Sequence, residues 1–198
     1  MAFGLLTPVL AQAGSLEFGP GTILVYETQS ATKDPTQFVI RIARFQPDIV
    51  LEWETVSYQG TTHMFRAAVR GSRKIMTSGV FDPGVDTDAE DWMVKWLSRA
   101  VYEDLVRDGE IKLVLNNIPA RFEVTGRGEF PLKLNGDELK VRAVFLKDDR
   151  RGTWKYLDDP KNPIVLEYET PYYRESLRRV ATDQKGSLRW IKRLPPVK

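Results

Sequence analysis

Residues 47–55 read Pro-Asp-Ile-Val-Leu-Glu-Trp-Glu-Thr, an alternation of apolar and polar side chains. In an extended chain successive side chains point to opposite faces. Ile49, Leu51 and Trp53 therefore share one face, and Glu52 and Glu54 share the other. The same period of two recurs at residues 22–28, 37–45, 63–70, 110–115, 120–125, 130–134, 138–146, 153–157 and 164–170, with a weaker case at 174–182. Such runs mark half-buried strands. Turn-forming residues separate them. Asn135-Gly136 joins two of the runs, and both residues tolerate positive φ, so a two-residue hairpin turn is favoured. Gln59-Gly60, Arg70-Gly71-Ser72 and Gly126-Arg127-Gly128 read as looser turns. Residues 158–163 carry two prolines, which exclude a continuous central strand. About ten short strands joined by short turns predict an antiparallel sheet.

One segment has a different period. Across residues 87–107, Trp92, Met93, Trp96, Leu97, Ala100, Val101 and Leu105 fall on one stripe at helical spacing. Thr87 is placed to cap the helix, with Glu90 closing a capping box. Asp88, Glu90 and Asp91 suit the positive end of the helix dipole, and Asp108-Gly109 supplies a stop. The expected fold is mainly β, of the α+β class: a curved antiparallel sheet or half-barrel of about ten strands covering one long amphipathic helix.

Composition narrows the setting. The chain has 198 residues, 42% of them hydrophobic, enough to bury a core. It has no cysteine, so disulfides, thiolate metal sites and a cysteine nucleophile are excluded. Residues 3–10 are mostly apolar and run into Ala11-Gln12-Ala13, a small-x-small ending typical of a secretory leader. No Lys or Arg precedes Phe3, as it would if the leader began upstream. Residues 1–13 are thus expected to be the remnant of a signal peptide, 14–184 a single β-rich domain, and 185–198 a basic tail. This organisation implies export to the periplasm. No other stretch approaches the ~20 apolar residues of a membrane-spanning helix. The whole chain carries a net charge of +2, yet residues 174–198 alone sum to +6. With Trp190 among those charges, the tail suits contact with an anionic membrane surface; export argues against nucleic acid as a partner.

Candidate chemistry is sparse. His63 is the only histidine and alternates in phase with Phe65, Ala67 and Val69, so it is expected on the apolar side of its strand. One imidazole cannot supply the two or three that a histidine metal site uses. Glu52 with Glu54, and Glu167 with Glu169, pair on strand faces as general acids and bases do in glycosidases, although solvated polar faces explain them more simply. Asp82, Asp86, Asp88, Glu90 and Asp91 cluster as calcium ligands do, but their spacing is not that of an EF-hand. Gly126-Arg127-Gly128 lacks the third glycine and following helix of a phosphate loop. No catalytic residue, metal or cofactor is assigned. Aromatic residues are the remaining asset. A curled sheet with a covering helix leaves an apolar interior, lined by Trp92, Trp96 and Val101 on the helix with Trp53 and Phe65 opposite.

The leader, the run of antiparallel strands and the amphipathic helix together resemble the exported bacterial half-barrel proteins typified by the lipoprotein carrier LolA, over most of residues 14–182. The resemblance is one of architecture and carries over no binding residue. It implies non-catalytic binding of a hydrophobic or lipid-like ligand, or of an envelope protein. Two alternatives stay open: a structural or assembly module that docks a partner through a sheet edge or the basic tail, and a carboxylate-dependent hydrolase.

Overall fold

The computed structural model describes residues 15–77, 81 and 86–182. The leader and tail assignments, Asp82 and Trp190 lie outside them. The first half contains β1 (Ile23–Ser30), β2 (Lys33–Phe45), β3 (Ile49–Glu54), β4 (Gln59–Met64), helix α1 (Arg66–Gly71), β5 (Lys74–Ile75) and β6 (Thr87–Ala89). The second contains helix α2 (Arg99–Asp108), β7 (Glu110–Leu115), β8 (Ile118–Leu134), β9 (Asp137–Asp148), β10 (Thr153–Leu157), β11 (Val165–Glu169) and β12 (Tyr173–Ala181). All twelve strands join one curved sheet in the order β5-β7-β8-β9-β10-β11-β12-β1-β2-β3-β4-β6. Most neighbours are antiparallel; the terminal strands β5 and β6 pair in parallel.

Alternation produces this sheet as the pattern predicts. On β3, Ile49, Leu51 and Trp53 are buried while Val50, Glu52 and Glu54 are partly exposed. On β8, Ala120, Phe122, Phe130 and Leu132 point inward between exposed neighbours. Asn135 and Gly136 have φ of 52° and 102° and form the tight turn between β8 and β9. The weak candidate at 174–182 is in fact a central strand, β12, paired with both β1 and β11. Beyond this linear order, Lys133 and Leu134 of β8 pair in parallel with Arg179 and Val180 of β12. That contact closes a circuit through β8, β9, β10, β11 and β12. Asn135 reinforces it: its amide donates to Thr182 Oγ1 at 3.1 Å and accepts from the Thr182 N–H at 2.9 Å.

Two large apolar clusters fill the sheet, beside a small one of Ile23, Val25 and Val39. One is built on Leu24, Tyr26, Ile40, Leu51, Trp53 and Met64 and reaches Phe130 and Val141. The other gathers Leu113, Phe122, Leu146, Trp154 and Tyr156 against Val101, Tyr102 and Leu105 of α2. Each such side chain contributes about 1.5–3 kcal/mol when fully buried.

Three expectations are corrected. The helix predicted over 87–107 is only Arg99–Asp108, packed on the second cluster, so among the described residues no long helix lies under the sheet. Residues Thr87–Ala89 are a strand instead. Residues 93–98 are buried on all sides, Lys95 included. A surface helix would expose half of such a run. The backbone instead bonds to other elements: Met93 N–H to the Lys74 carbonyl, Leu97 N–H to the Pro163 carbonyl, and the Lys95 carbonyl from Val165 N–H. Tertiary partners thus override helical propensity. Ser98, not Thr87, caps the helix, accepting from Val101 N–H at 3.3 Å, and Gly109 ends it at φ 76° as expected. Second, the strand predicted over 63–70 stops at Met64, and α1 follows. His63 therefore faces away from the core between buried Thr62 and Met64. Third, Gly126-Arg127-Gly128 is no turn. It continues β8 past a bulge between Val124 and Gly126, and a Cβ on Gly128 would stand 2.8 Å from the Phe145 ring. The glycines admit that ring instead of ending the strand. Among the described residues, no helix is long and apolar enough to cross a membrane.

Candidate functional site

A cleft of about 720 Å³ opens where four segments meet, within the range of small-molecule sites. The turn between β2 and β3 brings Phe45, Gln46, Pro47 and Ile49; α1 brings Arg66, Val69 and Arg70. Met93, Trp96, Leu97 and Arg99 come from the segment that leads into α2, and Pro160, Lys161 and Pro163 from the loop between β10 and β11. Each segment is placed by pairing already described. Phe45 faces Ile49 across the β2–β3 ladder. Met93 and Trp96 are pinned by isolated bridges to Ile75 and Ile164. Phe18 meets the Trp96 ring edge-on, centroids 6.3 Å apart.

The floor and rim differ in chemistry. Ile49, Met93, Trp96, Leu97 and Pro163 are buried and apolar, while Arg66, Arg70, Arg99 and Lys161 are exposed at the mouth. Among the described residues, no carboxylate lines the cleft. Arg99 Nε is paired with Glu103 at 2.8 Å. Among the described residues, Arg66, Arg70 and Lys161 have no carboxylate partner. The backbone N–H of Arg66 is held by Asp48 Oδ1 at 2.8 Å, which fixes the start of α1 without engaging the guanidinium.

Of the five residues predicted to line a pocket, Trp96 is the one found in the described lining of this cleft. Trp53 is wholly enclosed in the first cluster, its ring 6.4 Å from Phe38 and 5.5 Å from Phe81. Val101 is buried in the second cluster. Trp92 is half-buried against the first. Phe65 lies beside His63, ring centroids 4.0 Å apart. The five were grouped by assuming a helix through residues 92–101; without it their common stripe dissolves. Sequence reading missed Arg66, Arg70 and Lys161. The Arg66 to Arg70 spacing would have signalled a basic pair on one helical face, had 63–70 not been read as a strand.

The other candidates have structural partners. His63 stands between Asp48, at 3.5 Å, and Asp88, at 3.6 Å. Asp86 accepts from Thr61 N–H at 3.2 Å, and Asp91 pairs with Lys74. Among the described residues, no cluster of histidine and carboxylates could hold a metal. Glu52 accepts from Arg41 Nε at 2.6 Å. Glu167 is buried and bonded by Lys155 at 2.7 Å and Arg174 at 2.6 Å. Burial pushes its carboxyl upward, but those two cations outweigh burial and hold it below the usual glutamate range. An acid catalyst needs the opposite shift.

A buried ion pair lies elsewhere in the core. Lys95 pairs with Glu175, and its ammonium stands 5.0 Å from the centre of the Tyr26 ring, 5.2 Å from Phe38 and 5.4 Å from Phe81. Tyr173 donates its hydroxyl to Glu175 at 2.9 Å. Burial first, and then the Glu175 charge, push the Tyr173 hydroxyl well above its ordinary value. The adjoining cavity is only about 20 Å³, room for a water and nothing larger.

No family model, curated protein or solved structure matches this chain.

Proposed function

We propose that this protein binds a hydrophobic, lipid-like ligand without covalent chemistry, and that the ligand occupies the cleft between the β2–β3 turn, α1, residues 93–99 and the β10–β11 loop. The observation that supports this most directly is a cleft of about 720 Å³ in which half-buried Phe45 and Val69 and exposed Pro47 and Pro160 present apolar surface above the buried Ile49, Met93, Trp96 and Leu97. Apolar surface held open in a concavity is what a greasy ligand covers. The reading agrees with the carrier role implied by the resemblance to exported half-barrels, and with a periplasmic location. The docking alternative is weakened in its sheet-edge form, because the edge strands are two and three residues long. Its better surface is the opposite end, where Val56, Tyr58 and Tyr172 are exposed on hairpin tips.

Native mass spectrometry of gently purified protein, beside a solvent-extracted aliquot, tests the proposal. Extra mass lost on extraction, and lost also in Val69→Trp, which fills the cleft from α1, is the expected result. A bare chain that gains no mass with added lipids would count against the cleft as a ligand site.

A further inference from the structure

We infer that the ligand of the cleft is a single-chain anionic amphiphile, its carboxylate or phosphate head held by Arg66, Arg70 and Lys161 and its chain laid against Phe45 and Val69. The inference rests on the cleft being a ligand site, and adds the charge and shape of what enters it.

Three cations line one concavity, with no carboxylate among the described residues of its lining. Single unpaired cations on a surface are ordinary. Three around an apolar hollow are different, because low-dielectric walls focus their field on the space between them. Arg66 and Arg70 are also one helical turn apart on α1, where like charges repel. An anion between them removes that repulsion, and two guanidinium groups offer paired N–H donors that match the oxygens of a carboxylate or phosphate. Lys161 approaches from the β10–β11 loop as a third point charge.

The floor completes the assignment. A small inorganic anion would have no use for the apolar surface of Phe45, Pro47, Val69 and Pro160. An uncharged hydrocarbon would have no use for the rim. Only a molecule with both ends satisfies both surfaces. Arg99 takes no part in the prediction, since it is engaged by Glu103.

The test uses the full chain, stripped of lipid, in calorimetric titrations below the micellar concentration of each probe. The probes are dodecanoate, dodecyl phosphate and dodecanol, which share a chain and differ in the head. Dodecanoate and dodecyl phosphate are expected to bind at least about tenfold more tightly than dodecanol, with affinity falling as salt rises. The tighter of the two anions identifies the head group. Arg66→Gln with Arg70→Gln, and separately Lys161→Gln, should each erase most of that margin and leave dodecanol binding unchanged. Equal affinity for dodecanol and the anions, or variants that weaken all three probes alike, would overturn the inference while the ligand site stands. Binding of none of the three by protein with native circular dichroism would overturn both.

Discussion

The buried Lys95–Glu175 pair shows how one residue can be costly and still fixed. Lys95 has a φ of 60°, a left-handed conformation unusual for a side chain of its size. Its ammonium is held by Glu175 and faces three aromatic rings. Removing one partner strands the other charge in the core, so Lys95→Met should cost about 3–5 kcal/mol in urea unfolding. The double variant Lys95→Met with Glu175→Leu should recover much of that loss. Gly60 is constrained by space instead. A Cβ there would stand 2.5 Å from the Trp53 ring, so Gly60→Ala should cost about 1–3 kcal/mol in the same assay. Glu167 gives a pH dependence with a definite sign. Its folded-state carboxyl lies below the ordinary 4.5, so its stabilising effect is fully present above that value and is lost as pH falls through the lower, folded-state one. Urea midpoints measured below about pH 4.5 should therefore drop more steeply in the wild type than in Glu167→Gln.

At the scale of elements, strands were legible and the helix only in part. Period two located β3 and β7 because each buries one face only, and it still located β9 and β10 although their buried face changes at Ala143–Val144 and at Tyr156–Leu157. It misled at 63–70, where Phe65, Ala67 and Val69 alternate in apolarity yet the backbone turns into α1. The stripe from Trp92 to Leu105 records burial in part: Met93, Trp96, Leu97, Val101 and Leu105 are buried, but Ala100 is exposed, and Val94, Lys95 and Ser98, off the stripe, are buried as well. Its first half is buried by threading through the core, and its second half by lying on β7. Periodicity reports which side chains are covered; it does not report which backbone carbonyls take the hydrogen bonds. The same blindness hid the cleft, whose walls are turns and loops with no period. Capping substitutions separate the two helix descriptions. Ser98→Ala should cost about 1 kcal/mol, while Thr87→Ala, at a position outside the helix, should leave the helical signal in circular dichroism unchanged.

The whole molecule is organised by long-range pairing. The contact between β8 and β12 ties the two halves of the sheet together, and the first apolar cluster draws on β1 to β4 as well as β8, β9 and β12. The sheet should melt as a unit, with tryptophan fluorescence and far-ultraviolet circular dichroism tracing one coincident urea transition; separate transitions would show independent halves. One pairing has a further consequence. Strand β1 sits between β2 and β12, with Ile23 opposite Ala181. During synthesis the ribosome releases β1 long before β12 exists. Until then one flank of β1 is bare, and the nascent chain presents a row of unanswered amides to chaperones or to neighbouring chains. Emergence of β12, not of any early segment, is thus the event that completes the pairing of β1.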